Sequence, residues 1–363
     1  MEFPIYTKIH NRFLLNGYNY NRNGLKEVAY SFIKEGDYYE KFMGDFLMDW
    51  LDSSEMIYIE TSGTTITPKR ILFKKQALVN SAIVTGDFFN VSKGDKALHC
   101  LPASFIAGKM MMIRAIILGL SLDLVSPSKK PFYKNNKTYD FVAMTPMQAF
   151  HSLSKMNQIK KLIIGGSFIS NTLQEALIKK KVNAFETYGM TETLSHIAVR
   201  SIEEHSLKFK CLPNISIGQD ERGCLIINAP QLNVENLITN DEIELLDQNS
   251  FRLIGRVDNV INSGGVKIHP EQLERKLSAV LSVDYFIGSI ADSELGQKVI
   301  LVVLESNEID AKVLVDQLKL CDSLSSYEFP KKILFFKNFI ETSGGKIKRK
   351  YTLEQTPNRV LDL

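Results

Sequence analysis

Between residues 96 and 187 short apolar runs alternate with stretches of helical length, and this alternation constrains the chain more than any single motif. The runs at 96–101, 122–125, 141–144, 162–164 and 184–187 are too short for helices and stop at turn residues such as Pro102 and Gly165. Residues 108–118, a segment led by Pro146, and 172–180 suit helices, the last with Asn171 as its cap. Short strands alternating with helices build an open α/β sheet, and ligands on such sheets gather outside the carboxyl ends of the strands. Upstream, 25–33, 39–51 and 76–89 read as further helices, and 56–59 as a strand, after which 61–70 leaves the sheet edge as a loop.

The pattern changes at Ile215. Strands at 224–227, 242–246 and 251–254, with a hairpin turn over 247–250, describe a small β subdomain attached to the sheet. It ends at Gly255-Arg256-Val257-Asp258. Beyond, Pro270 opens a helix with Leu273, Leu277, Val280 and Leu281 on one face. Strands at 285–290, 299–304 and 333–336 and a helix at 311–320 follow. The expected architecture is a large N-terminal α/β domain with its β subdomain (1–257) and a small C-terminal α+β domain (258–363).

Charge is nearly balanced, 44 basic against 41 acidic residues, which argues against a nucleic-acid or membrane-surface partner. Any anionic ligand must therefore be held locally. Cys100, Cys211, Cys224 and Cys321 are scattered without metal-ligand spacing and read as reduced thiols. No apolar run approaches the ~20 residues of a membrane span; the run at 110–122 is interrupted by Arg114 and reads as a buried helix. The opening residues lack a signal-peptide pattern, so a soluble cytoplasmic protein is expected.

Six segments carry chemistry. Thr61-Ser62-Gly63-Thr64-Thr65-Ile66-Thr67-Pro68-Lys69 supplies hydroxyls, a flexible glycine and a cation suited to a polyphosphate, without Walker spacing. Gly165-Gly166-Ser167 after a strand permits close backbone approach to a flat ligand. Tyr188-Gly189-Met190-Thr191-Glu192 puts an aromatic face, a hydroxyl and a carboxylate on a turn. Asp241 could accept ribose hydroxyls, Arg256 brings a guanidinium to the domain boundary, and Lys346 follows Gly344-Gly345 near the end. Each alone is a common surface pattern.

Their order and spacing resemble the acyl- and aryl-adenylating superfamily over residues 57 to 350. That resemblance implies an ATP-dependent ligase using Mg²⁺ and coenzyme A, with a small mobile C-terminal domain. Thr61 to Thr65 and Lys69 would hold the β- and γ-phosphates, Tyr188 would stack on adenine, with Gly189 and the Gly165-Gly166-Ser167 turn also among the nucleotide-binding residues, and Thr191 would bind the α-phosphate. Glu192 would ligate Mg²⁺, Asp241 and Arg256 would hold the ribose, Asp258 would be the hinge, and Lys346 would bridge ATP and the acid. Gly264, Gly265 and Lys267 would form the loop that enters when the thiol is admitted.

Residues 259–271 and 101–111 resemble the branch that activates an aromatic carboxylate bearing further carboxyl and keto groups. Extra negative charge needs cationic or hydroxyl partners, for which Lys109, Ser195 and His196 are candidates, with Phe105 as a pocket wall where many relatives carry histidine. Ile66 and Arg70 replace usual glycines in the phosphate loop, Asn240 replaces another before Asp241, and the first motif starts unusually early at position 61. A minimal enzyme, a homodimer partner completing the pocket, or weakened activity would each accommodate that short beginning. The alternatives are another aryl- or acyl-CoA ligase, a carrier-loading enzyme, or a nucleotide-binding homologue with impaired catalysis.

Overall fold

The computed structural model describes residues 4–60, 69–132, 136–203, 206–306, 310–342 and 347–363. Its α-helices are α1 (Arg22–Glu35), α2 (Tyr38–Trp50), α3 (Lys75–Phe88), α4 (Ile106–Leu118), α5 (Pro146–His151), α6 (Asn171–Lys179), α7 (Pro270–Leu277), α8 (Ala311–Lys319) and α9 (Arg349–Leu353). None is long and apolar enough to cross a membrane.

The strands Ser121–Leu124, Lys96–His99, Phe141–Met144, Leu162–Ile164 and Ala184–Gly189 lie side by side in that order, all parallel. Phe141–Met144 and Leu162–Ile164 are buried along their whole length, as parallel strands covered on both faces must be. Helix α4 covers one face with Met110 to Ile117 inside the core, each large apolar side chain contributing about 1.5–3 kcal/mol. Past Ala184–Gly189 the sheet turns antiparallel through His196–Ser201, Lys208–Cys211, Ser250–Arg256, Val234–Asp247, Cys224–Ala229 and Ser216–Gln219. The β region after Ile215 is thus hydrogen-bonded into one thirteen-stranded sheet.

A second, six-stranded sheet begins at Ile261 and contains Ile261–Ser263, Val266–Ile268, Tyr285–Asp292, Gly296–Leu304, Lys332–Phe336 and Arg359–Asp362. Helices α7 and α8 cover one face through Leu273, Leu277, Leu314 and Leu318. On the other face Phe286, Ile300 and Val302 meet Leu353 of α9. Sheet membership therefore changes between Arg256 and Ile261, across a 3-10 turn over Val257–Asn259.

Several sequence expectations need correction. Ser170, not Asn171, caps α6: its Oγ accepts from the Leu173 N–H at 3.2 Å, while the Asn171 amide donates to the Arg275 carbonyl at 3.1 Å. Met56–Glu60 is a strand as expected, and Arg70, expected in the loop after it, instead opens a second strand, Arg70–Lys74, that pairs with it as a two-stranded sheet apart from the main one. Residues 242–246 are the far part of one long strand, Val234–Asp247, irregularly registered on both neighbours. Strand Arg359–Asp362 and helix α9 were unanticipated, because both are short and largely charged.

Candidate active site

The parallel strands Leu162–Ile164 and Ala184–Gly189 end on the same side, where open α/β sheets bind ligands. Gly165-Gly166-Ser167 leaves the first of them, and the Thr187 hydroxyl donates back to the Ile164 carbonyl at 3.2 Å. At the second, the chain makes a 3-10 turn over Thr191–Thr193 and returns. A Cβ at Gly189 would stand 2.3 Å from the Ser195 carbonyl oxygen, so glycine is what lets the return strand lie so close. Thr193 Oγ1 accepts from the Met190 N–H and donates to the Ser195 carbonyl, which braces Leu194 at φ 64°. Thr191 and Glu192 are half-buried on this turn, and the Glu192 carboxylate has no hydrogen bond or ion pair among the described residues.

Tyr188 differs from the open aromatic face expected of it. Its ring is 8% exposed and meets Phe209 and Phe251 edge-on at 6.1 and 5.2 Å. Its hydroxyl donates to Asp241 Oδ2 at 2.5 Å. Burial, then the neighbouring Asp241 charge, hold the phenol well above its ordinary pKa, so it stays a donor. Asp241 and Arg256 are cross-strand partners, with Arg256 Nη1 3.2 Å from Asp241 Oδ1. The same guanidinium reaches Asp258 at 2.7 Å. Asn240, standing where glycine was expected, donates to both Asp258 oxygens and accepts from Arg222. A continuous polar line thus runs from Tyr188 to the point where the sheets change.

A second cluster lies behind the turn. Arg114 of α4 is 2% exposed and has no carboxylate within salt-bridge reach among the described residues. One Nη donates to Ser195 Oγ, the other lies 3.6 Å from the Met111 sulfur, and Nε has no partner among the described residues. Burial lowers its pKa to about 10, which leaves it charged at neutral pH. Ser195 Oγ also lies 3.2 Å from His196 Nδ1, and His196 Nε2 lies 3.4 Å from Thr85 Oγ1. Burial and then the Arg114 charge push His196 well below its ordinary value, so the ring is neutral. Ser195 and His196 are legible in the sequence as candidates, whereas Arg114 there only interrupts an apolar run. A cation inside an otherwise apolar helix was the available signal.

Lys109 lies elsewhere. Its ammonium donates to the Ala103 carbonyl and sits 5.3 Å from the Phe46 ring centroid. Five residues separate it from Arg114, about 140° around the helix, so the two cations face different neighbours. Burial lowers the Lys109 pKa against the pull of Asp49, Glu60 and Asp45. Phe105 caps α4 and is half-buried. Arg70 pairs with Glu60 at 3.7 Å and lies over Tyr58 at 4.9 Å, on the exposed face of its hairpin. Gly264 and Gly265, at φ 59° and 82°, turn the chain between two strands of the small sheet, and Lys267 on the second strand is exposed. Lys69 is exposed beside the hairpin. Thr61, Ser62, Gly63, Thr64, Thr65 and Lys346 lie outside the described residues.

The AMP-binding enzyme family matches residues 40–222, half of the chain, and the protein belongs to that family. A solved acyl-CoA synthetase (AMP-forming)/AMP-acid ligase II-like protein from Dyadobacter fermentans is 33% identical, with 91% of this chain and 97% of that one covered and a TM-score of 0.59. The 2-succinylbenzoate–CoA ligase of Enterococcus faecalis is 24% identical over 335 residues, covering 81% of this chain and 68% of the relative. That of Listeria monocytogenes is 23% identical over 350 residues, covering 89% and 74%. The fold is shared with Bacillus subtilis o-succinylbenzoate CoA synthetase, solved with its acyl-adenylate intermediate (22% identity, 83% and 69% covered, TM-score 0.73). The same enzyme has been solved with ATP and a magnesium ion (22% identity, 82% and 69% covered, TM-score 0.71).

Proposed function

We propose that this protein is an AMP-forming acid–CoA ligase that converts 2-succinylbenzoate to 2-succinylbenzoyl-CoA, a step of menaquinone biosynthesis. In the first half-reaction a carboxylate oxygen attacks the α-phosphorus of ATP and pyrophosphate departs. In the second, the coenzyme A sulfur attacks the acyl carbon, AMP departs and the thiol proton is released. The attack brings two anions together, so cationic groups must neutralise both partners. Lys346 is assigned that task between ATP and the acid, as the motif resemblance implies. A Mg²⁺ bound at Glu192 would neutralise phosphate charge, and a carboxylate without a partner among the described residues suits an ion that keeps most of its waters.

Asp241 and Arg256, already paired across neighbouring strands, are assigned to the ribose, with Tyr188 OH fixing the Asp241 carboxylate from behind. The Gly165-Gly166-Ser167 and Gly189 backbone would flank the base. The phosphate loop from Thr61 to Lys69, the hinge at Asp258 and the Gly264-Gly265-Lys267 loop keep their assigned roles, with 258–363 as the mobile domain.

The observation that carries the choice of acid is Arg114. A buried guanidinium with no carboxylate partner among the described residues leaves a costly charge unless a ligand supplies the anion. A 2-succinylbenzoate molecule has one carboxylate to activate and a second to be held. Arg114 with Ser195, and neutral His196 beside them, supply the donors.

ATP–pyrophosphate exchange over a panel of carboxylic acids tests the reading. Succinylbenzoate should drive exchange, and Lys346→Ala should abolish it while ATP binding persists. Exchange driven instead by benzoates or fatty acids would refute the substrate assignment.

A further inference from the structure

We infer that Arg349 is a positioning residue for the first half-reaction, tying the Lys346 segment to the hinge through the carboxylates of α7. The inference rests on the adenylation reading and assigns a role to residues that reading leaves unused. Arg349 opens α9, three residues after Lys346, so the two Cα atoms are at most about 11 Å apart whatever the path between them. The residues flanking Lys346 are held together: Glu341 bridges Ile347, the Lys348 N–H donates to the Ile340 carbonyl at 2.7 Å, and the Ile340 N–H donates to Thr352 Oγ1 at 3.0 Å.

Arg349 is what anchors these flanking residues to the rest of the small domain. Its Nη2 lies 2.9 Å from Glu274 Oε2 and 3.8 Å from Glu271 Oε1, and its Nη1 donates to the Ile287 carbonyl at 3.2 Å. The Ile287 N–H in turn donates to Glu274 Oε1 at 2.7 Å, so guanidinium, carboxylate and one strand residue close a ring of bonds. The guanidinium also lies 5.9 Å from the Phe286 ring centroid. Glu271 Oε1 accepts from the Asn259 amide, in the 3-10 turn that contains Asp258. Arg349, Asp258 and Asn259 line one cleft of about 390 Å³.

The chain of contacts Asn259–Glu271–Arg349–Glu274 therefore joins the point where the sheets change to the start of α9. A charged pair held on several sides is stiff, because the fork geometry of arginine fixes direction as well as distance. Arg349 is held by Glu274 and the Ile287 carbonyl, with Glu271 3.8 Å away as a second, weaker carboxylate. A lysine there would retain charge but not the bidentate reach to Glu274 and the Ile287 carbonyl.

The test compares Arg349→Met, Arg349→Lys and Glu274→Gln in the full chain, with each half-reaction measured separately. Adenylate formation should fall about 10- to 100-fold in Arg349→Met, the scale of a misplaced reacting group, with little change in the KM for ATP. Thioester formation from supplied acyl-adenylate and coenzyme A should change by less than about threefold, because a different loop serves that step. Arg349→Lys should recover only part of the first rate. Equal loss in both half-reactions, or loss in neither, would overturn the inference. A readout independent of turnover is proteolysis in the segment 342–347, which should accelerate in Arg349→Met and Glu274→Gln; unchanged cleavage would also overturn it. Absence of pyrophosphate exchange in the unmodified protein would instead refute the adenylation reading, leaving the anchor judged by proteolysis.

Discussion

Arg114 and the two buried histidines give the sharpest expectations at the level of single residues. Replacing Arg114 by leucine removes a charge that no described carboxylate balances, so stability should hold or rise. The KM for an acid carrying a second carboxylate should nevertheless climb about 10²-fold, while a monocarboxylate should be affected little. Equal effects on both acids would remove Arg114 from substrate recognition. His99 is fully buried, with Nε2 3.0 Å from the Gly108 carbonyl, and burial lowers its pKa to about 4. His196 is lowered as well. An unfolded histidine protonates near 6.5, so below that pH the unfolded chain binds more protons than the folded one. Stability should therefore be complete above pH 6.5 and fall as pH drops toward 4, by up to about 1.4 kcal/mol per pH unit for each ring. Urea unfolding at several pH values would check this, and His99→Gln should flatten the slope.

Among the elements, those with a strong periodic or apolar signature were legible and those defined by distant partners were not. The parallel strands and helices α3, α4 and α6 follow from runs of apolar residues that leave little choice of state. The hairpin Met56–Glu60 with Arg70–Lys74 is only half legible, because its second strand alternates exposed and half-buried residues and carries two cations, Arg70 and Lys74. Helix α9 has only five residues and is held by Thr352 inside the fold and by Arg349 on α7. Nothing local announces such an element. The cap of α6 was missed by one position for a tertiary reason: the Asn171 amide is engaged by α7 across the two sheets.

For the whole molecule the decisive contacts are those by which α7 lies against the large sheet's helices. Arg275 lies over the Phe168 ring at 5.0 Å, the Asn171 N–H donates to Ser278 Oγ at 3.3 Å, and Thr172 Oγ1 donates to the Ser278 carbonyl at 3.4 Å. Beneath them Glu186 and Arg200 form a buried pair, with Gln174 3.1 Å from Arg200 Nη2. Arg275→Ala should loosen this contact without disturbing either core. Cleavage between residues 256 and 261 should then become faster while the main unfolding transition stays where it was. Unchanged cleavage would mean that the remaining contacts suffice to hold the two sheets together.

The sequence alone determined the kind of fold and proposed candidate residues for the site, because strand and helix periodicity and short ordered motifs are local properties of the chain. Asp241, Arg256, Asp258, Thr191 and Glu192 could all be named that way. Tertiary structure decided which of them meet. Only the register of Val234–Asp247 on Ser250–Arg256 sets Asp241 opposite Arg256. Only packing turns Tyr188 from an expected open face into a buried phenol, and Lys109 away from Ser195. Arg114 shows the difference most directly: in sequence it breaks an apolar run, and in three dimensions it is buried with no carboxylate beside it among the described residues.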